Sequence, residues 1–167
     1  VAGEAGRVIA LLLAAAPLAA AEARDANPIP ALAGAYHEPG SWVQIIPIDA
    51  RHAYVHFYFL GGVGGDLISE FEQVMTVQGT SLKFDEPATA DAPGCSLTVR
   101  REGKTLAWHA PQQADCSAYA NWHHPGMFMN GTMEVSSRRS ANRTRHYPGE
   151  GYGYASTVAD WCKAGRR

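Results

Sequence analysis

Nowhere in its 167 residues does the chain hold about 20 consecutive apolar residues, the length a membrane-spanning helix needs. The apolar run Val8–Leu18 stops short of that and is interrupted by Pro17. Zinc-type spacing of Cys and His is absent, as are a Gly-x-Ser-x-Gly elbow and a catalytic-cysteine signature. The glycine-rich phosphate cradles of the Walker and dinucleotide types are missing too. These absences argue against zinc modules, the common nucleophilic hydrolases and nucleotide enzymes, and they imply no cofactor. Long helical patterns are few, and no internal repeat or coiled coil is visible, which disfavours bundles and solenoids.

What the run at the start does resemble is an export signal. Arg7 precedes Val8–Leu18, and small-residue cleavage sites follow at Ala19-Ala20-Ala21 or Ala21-Glu22-Ala23. Charged, apolar and small segments in that order read as a secretory signal over residues 1–23. The expected location is periplasmic or secreted, with no membrane span after cleavage. Removing that segment leaves 144 residues, one domain with enough chain to bury a substantial core.

Seventeen glycines, ten prolines and sixteen aromatics favour short strands joined by turns. Residues 24–33 read as an extended lead-in, since two prolines there remove backbone donors. Gly34-Ala35-Tyr36 opens the first strand, His37-Glu38-Pro39-Gly40 is a turn, and Trp42 to Ile48 is strand-like until Pro47. Over 52–60 the period is two: Ala53, Val55, Phe57 and Phe59 on one face, Tyr54, His56 and Tyr58 on the other. Past the glycine loop 61–66, Leu67, Phe71, Met75 and Val77 share a face, with Glu70 and Glu72 opposite. Leu82 and Phe84 point inward from a short strand, and Cys95, Leu97 and Val99 alternate before a hairpin turn into Leu106 and Trp108. A loop runs from Pro111 to Pro125, and Met127 to Val135 is the last strand. The expected fold is mainly β, an antiparallel barrel or sandwich of about seven strands over residues 32–136. A basic, partly disordered tail follows over 137–167, with a weak helical pattern at Ser156–Lys163.

Charge is distributed unevenly. Residues 24–135 carry six cations against twelve acids, a balance of −6, whereas residues 136–167 carry seven against two, a balance of +5. A basic tail suits anionic polymers or lipid, or the chain's own acidic body. No specific nucleic-acid signature accompanies it. Of the three cysteines, Cys95 and Cys116 lie inside the patterned region and form the favoured disulfide in an oxidising compartment, leaving Cys162 over. Two buried thiols are the alternative.

Gly61-Gly62-Val63-Gly64-Gly65-Asp66-Leu67-Ile68-Ser69 matches one calcium nonapeptide, with Asp66 as its carboxylate. That motif works by stacking several copies, so a flexible hairpin loop is the favoured reading and metal at Asp66 the minor one. Seven histidines show no chelating spacing: His52 and His56 share a strand face but lie roughly 13 Å apart. Packing or surface roles are therefore expected for them. Glu70 and Glu72 are assigned to solvated surface. Two Asn-x-Thr sequons, at Asn130 and Asn142, matter only in a eukaryotic export path. Tyr54, His56, Tyr58, Tyr119, Trp122 and His123 are the candidate binding residues, because Tyr and Trp dominate recognition surfaces. In a closed barrel the Tyr54/His56/Tyr58 face lies outside; cover by the tail or a loop is the favoured reading, and a partly exposed binding face the other.

From about Ala53 to Phe128 the chain resembles small exported bacterial proteins of unassigned function. The shared pattern is the Ala53-Tyr54…Phe59 strand, a glycine-containing loop, and the Gly94-Cys95-Ser96-Leu97 hairpin through Gly103 and Leu106, then Cys116, Tyr119 and Phe128. The chain departs from it at Gly61–Gly65, where an Asn-Gly-His-Cys-like loop is expected. A weaker likeness, in size, export and strand count, is to periplasmic lysozyme inhibitors. Both imply a β domain and bring no catalytic residues. The expected function is a non-enzymatic exported binding module of the cell envelope, an inhibitor or small-ligand domain with a protein or small-molecule partner. The alternatives are a small secreted hydrolase pairing Asp115 with His109 or His123, and a calcium-ordered module.

Overall fold

The computed structural model describes residues 27–61, 67–91, 93–111, 116, 119, 121–122, 130–141 and 153–165. The export segment 1–23, Asp66, Asp115 and His123 lie outside these residues. The chain folds mainly as β-structure, with antiparallel strands rolled into a nearly closed barrel. In chain order the strands are β1 (Gly34–Glu38), β2 (Ser41–Pro47), β3 (His52–Gly61), β4 (Leu67–Gln78), β5 (Ser81–Glu86), β6 (Cys95–Glu102), β7 (Thr105–His109), β8 (Asn121–Trp122) and β9 (Asn130–Glu134). Helices α1 (Ile29–Leu32) and α2 (Tyr154–Lys163) flank them. No helix among the described residues is long and apolar enough to cross a membrane.

Strands β1 to β7 pair with their sequence neighbours, and β9 adds beside β7. This meander follows from the turn chemistry. Gln78 faces Ser81 and Glu102 faces Thr105 across two-residue turns whose first residues, Gly79 and Gly103, both have φ 58°. Glycine alone takes that conformation without strain, and at this position it gives the type II′ turn that matches strand twist. Closure comes from Ala35, bridged to Arg139, and from the His37 backbone N–H bonded to Ser137 Oγ at 3.2 Å. β4 is shared: its C-terminal end, Thr76–Gln78, pairs with β5, while Ser69 and Glu70 near its start pair with β8.

Alternation sorts the side chains. Val43, Ile45, Val55, Phe57, Phe71, Met75, Leu82, Leu97, Val99, Leu106 and Trp108 fill the interior. Phe57 and Phe59 pack on the Trp108 indole at 5.4 and 5.6 Å between ring centres, distances typical of favourable aromatic pairs. Cys95 and Cys116 form a disulfide buried in the same core, tying the loop after β7 to the start of β6.

Two elements differ from expectation. Residues 29–32 form a helical turn instead of an extended lead-in. Pro28 and Pro30 sit where a first turn has no intrahelical use for their missing N–H groups, and Asn27 Oδ1 accepts from the Ile29 N–H at 3.0 Å. Asn121–Trp122, expected within a loop, is a two-residue strand on β4. At the C-terminus the weak helical pattern is realised as α2.

Candidate functional site

The β3–β4 hairpin builds the site from its register. His56 stands directly opposite Glu72, and Tyr58 opposite Glu70, so the even-numbered residues of both strands share the barrel's outer face. His56 Nε2 lies 2.7 Å from Glu70 Oε1, its diagonal neighbour, and 3.7 Å from Glu72 Oε1, its direct partner. The shorter contact is a single hydrogen bond between the imidazole and the carboxyl group. Tyr54 Oη donates to Glu72 Oε1 at 2.8 Å, and Thr157 Oγ1 of α2 donates to Glu72 Oε2 at 3.2 Å.

Aromatic rings wall this cluster. Trp42, opposite Tyr58 in the β2–β3 register, stacks on it at 3.9 Å and turns an edge to His56 at 5.9 Å. Tyr154 of α2 meets Tyr54 edge-on at 5.5 Å, and Trp161 lies 4.7 Å from His52. Tyr54, His56 and Tyr58 are consequently only 2–4% exposed. The outer face at these residues is thus covered, with the C-terminal helix lying on it. Glu70 and Glu72 are likewise not solvated surface: their side chains retain 13% and 9% exposure. Burial, then the negative charge of Glu72 and its hydrogen bond, push the Tyr54 phenol far above the ordinary tyrosine range. It therefore remains a donor at any physiological pH.

The remaining candidates lie elsewhere. The Tyr119 ring packs on Phe84 at 5.5 Å and its hydroxyl donates to the Pro93 carbonyl at 3.4 Å, beside the disulfide-bonded segment. The Trp122 backbone pairs with Ser69 next to Glu70. His109 is exposed at the end of β7 and lines an outer-face hollow of about 430 Å³ with Thr98, Arg100, Glu102 and Thr132. There Arg100 Nε is taken up by Glu102 at 2.6 Å. Cys162 is an exposed free thiol on α2.

Sequence reasoning found His56 and missed its two carboxylates. The missing signal was the hairpin register, since setting Gly61 against Leu67 brings 56 opposite 72. Three donor atoms, one each from His56, Glu70 and Glu72, lie within 4.8 Å of one another. Such a set can share a proton or hold a cation. No known protein family, curated protein or solved structure matches the chain.

Proposed function

We propose that this protein is an exported, non-enzymatic binding module of the cell envelope. The observation that carries the reading is the pairing of β8 with the start of β4. Through it, the segment that follows Cys116 meets the β3–β4 hairpin beside loop 61–66. The end of a small β-barrel is where such folds commonly bind, and the β4–β8 pairing lies at one end of this one. A buried hydroxyl supports the same end: Ser69 Oγ, on a residue 1% exposed, meets no hydrogen-bond partner among the described residues. Ser69 stands opposite Phe59 and shares its inward side, and a buried hydroxyl of this kind is suited to accept or donate a further hydrogen bond. The core side chains that fill the barrel's centre favour a ligand at its end rather than in its middle.

The test is calorimetric titration with soluble peptidoglycan fragments and, separately, with a lysozyme, alongside hydrolysis assays on peptidoglycan, a nitrophenyl ester and casein. Saturable binding to one titrant with no turnover is expected. Turnover that tracks the protein through purification contradicts the reading.

A further inference from the structure

We propose that His56, Glu70 and Glu72 form a binding site for a first-row divalent cation, zinc by preference, on the outer face of the β3–β4 hairpin beneath α2. The site does not depend on the binding role above, and either stands if the other fails.

Geometry is the first support. Ligands around tetrahedral zinc, at about 2.0–2.2 Å from the metal, are about 3.4 Å from one another. The His56–Glu70 and His56–Glu72 contacts, 2.7 and 3.7 Å, bracket that edge. A cation therefore replaces the proton between Nε2 and Glu70 once that contact opens by about 0.7 Å, a small rotation of a flexible glutamate.

Charge is the second and independent support. Two carboxylates withdrawn from solvent need compensation, or their desolvation is costly. Among the described residues His56 is the only ion-pairing partner of either, and no lysine or arginine reaches them. A dication bound between them supplies two positive charges against the two carboxylates.

The surroundings fit a ligand set as well. Tyr54 and Thr157 bond the two oxygens of Glu72 and fix its orientation, as partners behind a metal ligand do. One imidazole nitrogen with two carboxylates suits zinc or manganese. Calcium asks for six to eight oxygens, more than this cluster offers. Three protein ligands leave a position for water or a ligand group.

The test uses the disulfide-intact chain, free of affinity tags and stripped with chelator. Zn²⁺ is expected to bind with 1:1 stoichiometry and to raise Tm by several degrees, and Co²⁺ to give visible ligand-field absorption. Glu70→Gln and Glu72→Gln should each weaken Zn²⁺ affinity at least tenfold. His56→Ala should abolish the Co²⁺ bands. The glutamine variants preserve shape, and near-ultraviolet circular dichroism establishes that each is folded. Absence of Zn²⁺ binding by the folded wild-type chain overturns the proposal. So does wild-type affinity in the folded Glu70→Gln/Glu72→Gln double variant, or a response to Ca²⁺ alone that Asp66→Asn removes.

Discussion

Thr157 Oγ1 donates a hydrogen bond to Glu72 Oε2 at 3.2 Å, joining α2 to β4 across 85 residues of sequence. With the Tyr154–Tyr54 and Trp161–His52 ring contacts, it holds the C-terminal helix over the His56 cluster. Thr157→Val keeps the shape and removes the donor. Hydrogen bonds to charged acceptors contribute about 1.5–3 kcal/mol, and partial exposure places this one near the low end. The variant should lose about 1–2 kcal/mol in urea unfolding, with faster amide exchange throughout α2.

The Cys95–Cys116 bond spans a sequence separation of 21. A loop of that size restricts the unfolded chain by roughly 3 kcal/mol in the chain-entropy model. Reduction, or the Cys95→Ala/Cys116→Ala pair, should lower the urea-derived stability by about that amount. The same change should loosen Tyr119, whose ring packs on Phe84 near the crosslink.

Gly131 is small because of Trp108. A Cβ at 131 would sit 2.5 Å from Trp108 Cζ2, and the indole cannot retreat from Phe57 and Phe59. Gly131→Ala should therefore destabilise by about 1–3 kcal/mol through overpacking. Its near-ultraviolet circular dichroism should change where tryptophan dominates. Gly79→Ala tests a different effect, since nothing lies within 4 Å of its Cβ and only φ 58° resists the change. It should cost about 1 kcal/mol.

Stability should fall in alkali. Burial raises the Tyr54 phenol, with Glu72 adding to it, and burial raises Tyr36 despite Arg138 and Arg101. A pKa raised on folding gives stability that is complete below the unfolded value, about 10 for tyrosine, and that is lost as pH climbs above it. Urea midpoints measured from pH 8 to 11 should decline past about 10. Tyr54→Phe should decline less steeply from a lower starting value, because it forfeits the bond to Glu72.

Much of the fold was legible because alternation is a local property. The Ala53/Val55/Phe57/Phe59 face, the glycine turns at 79 and 103 and the Cys95–Cys116 pair each follow from neighbours in sequence or from compartment chemistry. The site was less legible because it is built across strands. Glu70 and Glu72 read as solvated until the register sets Glu72 against His56 and α2 is laid over both. The two-residue β8 was invisible for a related reason: Asn121–Trp122 has too little sequence to show a period, and its pairing with Ser69 and Glu70 is tertiary. Helix α1 was missed because two prolines in four residues suggest extended chain, although first-turn positions tolerate them.

The cation site is the account's sharpest claim, and anomalous diffraction at the zinc edge from crystals grown with Zn²⁺ tests it most directly. One strong peak is expected on the outer face of the β3–β4 hairpin, about 2.0–2.2 Å from His56 Nε2 and from one oxygen each of Glu70 and Glu72. A map with zinc bound only at other histidines, and His56 still hydrogen-bonded to Glu70, would contradict it.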